Sequence, residues 1–334
     1  MKKFYFVFFI SFLFFSGCSS KQYFEPKEIA GKVEFDKELP AKMIDVTRDG
    51  ATLENGQVIT EEGLLDVKLP QGFEFIGDGE EYIVGANNCG DIVIIDKKSK
   101  KTVFKKHFDL KRASAAKIKG DILALVFDTN EIMVVDFKKD EELYSQKSDK
   151  IYSVDTKIAS PYFLGELILF PTLDGKIIIV DKVGKRAIRN ILVGTEKFLN
   201  NIIFLNVLNN RLIAATPNKV VSVNPKNINT INIDLSDILF VKDAVYILAK
   251  DGRVIMTDPD LNILKTRKYP FAHFTGIVYG EYIYIIEKEG YIIATDHSLR
   301  VSNVFELSDK IEDYIFTSKD KIFYKDKFFQ LNKK

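Results

Sequence analysis

Residues 173–185 read LDGKIIIVDKVGK, and this stretch decides the fold of the chain. The pair Asp174–Gly175 suits a tight hairpin turn, because both residue types tolerate the positive φ that such turns require. It leads into an apolar, β-branched run that ends at Asp181, three residues before Gly184. A short apolar run bounded by turn residues predicts a strand in a β-hairpin.

The same pattern returns along the chain, in residues 89–101, 129–141, 217–229, 250–262 and 288–300. The residues that end the apolar runs are Asp96, Asp136, Asp181, Asn224, Asp258 and Asp296, spaced 34 to 45 residues apart. Weaker copies occupy residues 54–63 and 325–334. Self-similarity at this period indicates a repeat architecture.

Each unit reads as four short strands, as in residues 237–269, and no segment keeps a helical period over several turns. The sequence therefore predicts an all-β fold, an eight-bladed β-propeller of four-stranded antiparallel blades in a single domain, residues 31–334. Seven blades remain an alternative if the weak copy at 54–63 is not a full blade. The last unit ends after its third strand, so we expect a strand at about residues 31–36 to complete it and close the ring.

The six Asp and Asn residues that end the apolar runs have a structural interpretation. Their short oxygen-bearing side chains can accept hydrogen bonds from the next backbone N–H groups and set the following turn. We therefore interpret all six as turn residues of the repeat and not as catalytic residues.

The N-terminus predicts export. Lys2 and Lys3 precede an apolar run over residues 4–15, followed by SGCSS, which is typical of a secretory signal peptide over residues 1–17. The small residues before Cys18 resemble a bacterial lipobox, which predicts lipid on Cys18 and a polar tether over residues 18–30; an ordinary signal peptide with an incidental cysteine is the alternative. Ser19 after the cysteine implies outer-membrane retention by resemblance to the sorting rule of enteric bacteria. The second cysteine, Cys89, is either a small turn residue or a reactive thiol.

Residues 167–188, LILFPTLDGKIIIVDKVGKRAI, resemble a quinoprotein-type (PQQ-like) propeller repeat. Together with the lipobox and the eight repeats, the chain resembles the BamB-like lipoproteins of the outer-membrane β-barrel assembly (BAM) complex. The resemblance implies a lipid-anchored scaffold on the periplasmic face of the outer membrane. Its implied partners are BAM-type assembly machinery or other envelope proteins.

The remaining sequence signals favour binding over chemistry. Lys and Arg number 48 against 47 Asp and Glu, which implies no basic face for nucleic acid. The three histidines lack metal-ligand spacing and no nucleophile or phosphate-loop motif occurs, so we predict no catalytic residue, metal, cofactor or enzyme activity. A scaffold of another envelope complex, or a propeller that binds a small molecule or acts as a PQQ-type enzyme, remains an alternative.

Two unusually apolar connections, residues 160–165 and 269–274, are candidates for a partner-facing patch. The residues concerned are Tyr162, Phe163, Phe271 and Phe274. The alternative is that they belong to inner strands and to the packing between blades.

Overall fold

The computed structural model describes residues 22–149, 151 and 158–331. The predicted signal peptide and Cys18 lie outside these residues. All regular elements of the described chain are β-strands, and none of its segments forms a helix long and apolar enough to cross a bilayer.

Two strands precede the repeats, β1 (Gly31–Val33) and β2 (Lys37–Glu38). The first blade consists of β3 (Met43–Val46), β4 (Gly50–Leu53), β5 (Gln57–Thr60) and β6 (Gly63–Lys68). The second consists of β7 (Glu74–Asp78), β8 (Tyr82–Ala86), β9 (Asp91–Asp96) and β10 (Thr102–His107). The third consists of β11 (Ala113–Lys119), β12 (Ile122–Phe127), β13 (Glu131–Asp136) and β14 (Glu141–Lys147). The fourth consists of β15 (Tyr162–Leu164), β16 (Leu167–Pro171), β17 (Lys176–Asp181) and β18 (Arg186–Leu192).

The other four blades follow in order. The fifth consists of β19 (Phe204–Leu208), β20 (Arg211–Thr216), β21 (Lys219–Val223) and β22 (Ile228–Asn232). The sixth consists of β23 (Leu235–Val241), β24 (Ala244–Ala249), β25 (Arg253–Thr257) and β26 (Ile263–Lys268). The seventh consists of β27 (Phe274–Tyr279), β28 (Ile283–Glu287), β29 (Tyr291–Thr295) and β30 (Ser302–Leu307). The eighth holds β31 (Ile315–Thr317), β32 (Lys321–Tyr324) and β33 (Lys327–Gln330).

The eight-bladed propeller predicted from the sequence is therefore confirmed, and the seven-bladed alternative is wrong, because residues 43–68 form a full four-stranded blade. In each blade the first strand lies innermost and the fourth outermost. The second and third strands are the most apolar and are buried, as in β12 and β13 of the third blade. Outermost strands alternate in polarity and are largely exposed, as expected for strands at the rim of a disc.

The core consists of apolar layers between neighbouring blades. One layer joins the third and fourth blades through Val134, Phe170 and Ile178, all buried. Burying a side chain of this size contributes roughly 1.5–3 kcal/mol. Each blade is thus stabilised by its neighbours, and the ring has to close before the first and last blades are covered on both faces.

The second and third blades are joined by backbone pairing as well as by side chains. The innermost strands β7 and β11 pair in parallel, with Gly77 opposite Ala116. A Cβ atom at Gly77 would lie 1.9 Å from the carbonyl oxygen of Ala116. Only glycine allows this close approach, which turns the two blades into one eight-stranded sheet.

Ring closure differs from the prediction that a strand at about residues 31–36 completes the last blade. The fourth strand of the eighth blade is the shorter β2, where Lys37 and Glu38 pair antiparallel with β33. Strand β1 instead pairs in parallel with β30 as a fifth strand of the seventh blade. Phe35 lies between them and packs against Tyr324 and Phe329, with ring centroids 5.5 and 5.2 Å apart. Its burial fixes the step from one blade to the next.

The chain before β1 also differs from the sequence expectation. The ring of Phe24 is 6% exposed and packs edge-on against Tyr269 and Tyr291 of the sixth and seventh blades. The predicted tether is therefore attached to the disc at Phe24, and again at Ala30, whose N–H donates to the Val304 carbonyl.

Candidate functional site: the central channel and the blade 4 edge

A cavity of about 790 Å³ lies at the centre of the ring. Its walls are the innermost strands of the first, fifth, sixth, seventh and eighth blades, with the turns beside them. The lining is mixed: Phe204, Ile238 and Phe316 contribute apolar surface, and Arg48 and Glu61 contribute charge. A small-molecule ligand, which the sequence analysis left as an alternative, would have to bind in this cavity.

Arg48 spans this channel. It belongs to the turn between β3 and β4 in the first blade, and its Nη1 atom lies 2.5 Å from Oδ1 of Asp237 in the sixth blade. Its Nη2 atom donates to the carbonyl oxygen of Ile238 over 2.7 Å, and its guanidinium lies 5.1 Å from the ring centroid of Phe204 in the fifth blade. One side chain therefore links three blades, two of which lie across the ring from its own.

Other charged side chains of the inner strands also form pairs between blades. Lys117 of β11 donates to Asp78 of β7 over 2.7 Å, and Arg112, just before β11, pairs with Glu74 of β7. These two pairs therefore neutralise charges across the boundary between the second and third blades. Such pairs fix the relative positions of the blades, because separating them would leave partly buried charges without partners.

Asp45 of β3 lies close to this network. Burial, with a smaller contribution from the Glu74 carboxylate, raises the pKa of Asp45 to about 6. Burial also raises the pKa of Glu61, which faces the channel. Perturbed carboxyls can mark a functional site, but they also occur in structural ion-pair networks. No set of three or more His, Cys, Asp or Glu side chains suited to a metal ion occurs among residues 22–149, 151 and 158–331.

The six predicted turn residues all follow or end the third strand of their blades. A side-chain oxygen of each accepts a hydrogen bond from a backbone N–H two to five residues later, in Asp96, Asp136, Asp181, Asn224, Asp258 and Asp296. A bond from the Ser298 hydroxyl, together with the N–H groups of Arg300 and Val301, lowers the pKa of Asp296 to about 2. The structure places these residues in six separate turns, so they do not converge on one site.

The four apolar residues predicted to contact a partner do not form one patch. Phe274 is 6% exposed in the core between the sixth and seventh blades, so its prediction as a partner-facing residue is wrong. Tyr162 and Phe163 are half-buried, and the Tyr162 hydroxyl donates to Val207 of the next blade, which matches the alternative of packing between blades. Phe271 is 51% exposed. It alone of the four presents most of its side chain to solvent.

Cys89 lies in the turn between β8 and β9, where its thiol is exposed. Its backbone N–H donates to the Asn87 side chain over 3.0 Å. The residue therefore lies within a turn held by the Asn87 side chain.

The structure shows a further surface that the sequence interpretation did not single out. We define the blade 4 edge as residues 182–199, which comprise β18 with the turns at its two ends. Exposed apolar side chains occur along it: Val183, Ile188, Leu192, Phe198 and Leu199. The same residues include five lysines and arginines and a single acid. The corresponding signal in the sequence is the mixture of basic and apolar residues in KVGKRAIRNIL, residues 182–192, which is also part of a propeller repeat.

The comparisons with known proteins give two kinds of relative. No family model matches the chain. The curated plasminogen-binding protein PgbB of Helicobacter pylori strain J99 is 29% identical over 324 residues, which cover 83% of this chain and 60% of that protein. PgbB of strain 26695 is 28% identical over 316 residues, covering 81% and 58%. The chain thus spans about three fifths of the length of these relatives.

Solved structures show the fold. BamB from Moraxella catarrhalis superposes with a TM-score of 0.68 at 14% identity, over 86% of this chain and 94% of BamB. The computationally designed Ika8 protein matches with a TM-score of 0.50 at 12% identity, over 83% and 98%. Hsv2 of Kluyveromyces lactis matches at 0.51 and 9% identity, over 75% and 89%. The chain has a BamB-like propeller fold.

Proposed function

We propose that the chain is a protein-interaction propeller of the bacterial cell envelope, without enzyme activity, and that lipid on Cys18 holds it at the periplasmic face of the outer membrane. The observation that carries the proposal is the contrast between its two candidate sites. Arg48, which spans the central channel, is engaged with Asp237 and with the Ile238 carbonyl on the other side of the ring. The blade 4 edge instead presents exposed apolar side chains, such as Leu192, together with the exposed Arg186 and Arg189.

This contrast favours a scaffold for a physical reason. A rigid disc whose blades are joined by ion pairs and apolar layers can hold rim surfaces in fixed positions, which suits the docking of another protein. A catalytic channel would instead hold its charged groups ready for a substrate. The proposed partners are BAM-type outer-membrane assembly machinery, supported by the BamB-like fold, or the proteins of another envelope complex.

The partner is tested by chemical cross-linking in intact cells, followed by purification of the tagged full-length protein from membranes. We expect subunits of an outer-membrane assembly machinery to be recovered with it. Recovery of other envelope proteins alone would move the scaffold to another complex. Recovery of no envelope protein above the level of an untagged control would contradict the proposed function.

The lipid anchor has its own test. Cys18→Ala should release the protein from the membrane fraction into the soluble periplasm, because the variant lacks the cysteine that carries the proposed lipid anchor. Cys89→Ala is the matched control, since it removes the other cysteine and should leave the protein in the membrane fraction. Retention of Cys18→Ala in membranes would refute the anchor.

The PgbB relatives favour a second candidate function, the binding of plasminogen. The purified full-length protein can be titrated over immobilised plasminogen, with serum albumin as the control surface. Saturable binding to plasminogen alone would support this function for the chain. Equal retention on both surfaces would remove it and leave the envelope scaffold as the remaining proposal.

A further inference from the structure

The blade 4 edge has the properties of a docking site for an extended chain. We propose that it binds an acidic, extended segment of a partner protein, which adds to β18 as a fifth strand of the fourth blade. This inference rests on the proposed function as a protein-interaction propeller, and it names the surface and the chemistry of the partner.

The chain itself shows that a blade of this ring can accept a further strand. In the seventh blade, β1 pairs in parallel with the outermost strand β30, with Gly31 opposite Phe305 and Val33 opposite Leu307. A fifth strand on an outermost edge is therefore compatible with the twist and spacing of these blades.

Strand β18 has an open edge. It is seven residues long, and no described strand pairs with its outer side. The Val193 N–H donates inward to Gly175, so the two-residue alternation of an antiparallel ladder turns the N–H groups of Asn190 and Leu192 outward. A bulge beside Val180 leaves Ile188 out of the register. The part of the edge with a regular ladder is thus residues 189–192.

The side chains add affinity and specificity to this backbone edge. Ile188 and Leu192 are 49% and 57% exposed, and Ile191 between them is buried and fixes the strand. Arg186 and Arg189 are exposed, and no carboxylate of the described residues forms an ion pair with either. An incoming strand that alternates apolar and acidic residues would cover Ile188 and Leu192 with its apolar side chains. Its acidic side chains would pair with the two arginines.

The charge of the edge also selects the occupant. Edge strands expose unpaired backbone groups, and basic residues on them protect proteins against pairing with their own copies. Two copies of the blade 4 edge would bring the exposed Arg186 and Arg189 of one against those of the other, so self-association through β18 is disfavoured. The same charges attract an acidic segment. The outermost strands of the two neighbouring blades lack this combination: β22 has no charged residue, and β14 begins with Glu141 and Glu142.

The experiment measures binding of a short fluorescent peptide that alternates valine and glutamate to the full-length protein, by anisotropy. Asn190→Pro removes an outward N–H without breaking the inward ladder, and Asn190→Ala is its control because it keeps that N–H. Arg186→Glu with Arg189→Glu removes the charge, and Lys226→Glu with Lys265→Glu makes the same change of charge on the fifth and sixth blades. We expect Asn190→Pro and the double arginine variant to weaken binding about tenfold or more, and both controls to bind like wild type.

A second measurement locates the contact. Hydrogen exchange of the full-length protein should slow at Asn190 and Leu192 when the peptide is added. The proposal would be overturned if Asn190→Pro and Asn190→Ala bound the peptide equally, or if the double lysine variant lost as much binding as the double arginine variant. Protection from hydrogen exchange confined to other blades would overturn it as well. Binding of wild type to phosphatidylglycerol vesicles but not to the peptide would identify the edge as a membrane contact and overturn it too. A change of oligomeric state in the double arginine variant would show that the edge binds a second copy of this chain, and it would also overturn the proposal.

The inference and the proposed function fail separately. If envelope proteins still cross-link to the Asn190→Pro and arginine variants as they do to wild type, the blade 4 edge is not their docking site and the scaffold function stands. If no envelope protein cross-links to wild type, the scaffold function fails whatever the peptide does.

Discussion

Arg48 of the first blade and Asp237 of the sixth blade meet inside the central channel, with Nη1 2.5 Å from Oδ1. The two residues are 189 positions apart in sequence and belong to blades that are not neighbours in the ring. Both side chains are largely buried, and Arg48 also bonds the Ile238 carbonyl. The pair therefore joins opposite sides of the propeller independently of the contacts between adjacent blades.

Removing this link should destabilise the whole ring. We expect Arg48→Ala to lower the free energy of unfolding by about 2–3 kcal/mol, because the Asp237 carboxylate stays buried without its cation. In a urea-unfolding cycle with Asp237→Asn, the double variant should lose about 1 kcal/mol less than the sum of the single losses. Additive losses would show that the two residues act independently. Arg48→Lys is the control for charge without the second hydrogen bond to Ile238.

Asn130 connects the third and fourth blades. It is fully buried with a positive φ of 60°, its Oδ1 accepts the Leu173 N–H over 2.8 Å, and its Nδ2 donates to the Asp149 carbonyl. Asn130→Ala should cost about 3 kcal/mol, since it leaves a buried N–H unpaired and forces alanine into a left-handed conformation. Asn130→Gly removes the same bonds but tolerates the backbone, so it should unfold at a higher urea concentration than Asn130→Ala. The reverse order would contradict this account.

The raised pKa of Asp45 predicts a pH-dependent stability difference. Its pKa is about 6 in the folded state and 3.8 when unperturbed, so the folded state holds the proton more tightly. The cost of ionising it is absent below about pH 4, grows as the pH rises, and is complete above about pH 6. Asp45→Asn avoids this cost. The variant should match wild type near pH 4 and exceed it by about 1–2 kcal/mol at pH 7, a range that allows for partial solvent access. A difference that is constant with pH would contradict the assignment.

Phe24 tests whether residues 22–30 are attached to the disc. Phe24→Ala removes a ring that packs against Tyr269 and Tyr291, and it should release the segment while the blades stay folded. We expect limited proteolysis to cut within residues 22–30 several times faster, with little change in the thermal unfolding of the ring. Tyr23→Ala is the matched control, because Tyr23 is half exposed and outside the core. Equal cleavage of both variants would show that Phe24 does not hold the segment.

The repeat could be predicted from the sequence because its signal is local. Each Asp or Asn after a third strand, such as Asp181, sets its own turn through hydrogen bonds to nearby N–H groups. Each apolar run is buried wherever it lies in the ring. Strand and turn therefore depend on residues within a few positions of one another, and their repetition predicts eight blades with seven as the alternative.

The sites were harder to predict because they depend on distant residues. Phe274 and Phe271 are three positions apart in one apolar connection, yet one is buried between blades and the other is exposed. Hydrophobicity alone does not distinguish them; the direction of each side chain relative to the next blade does. The same holds for ring closure, where burial of Phe35 moves the pairing of the last blade from residues 31–36 to Lys37 and Glu38.

The sequence by itself determined the all-β class, the repeated four-stranded unit and the turns between strands, because local propensity and periodicity control these features. It favoured eight blades, and the structure excluded seven because residues 43–68 form a full blade. Only the tertiary structure decided that Arg48 meets Asp237 across the channel and that β18 keeps an open, basic edge. The physical reason is that closing the ring brings residues from distant repeats into contact. The ring geometry, and not the pattern of any one repeat, determines which charges are neutralised inside and which remain exposed at the rim.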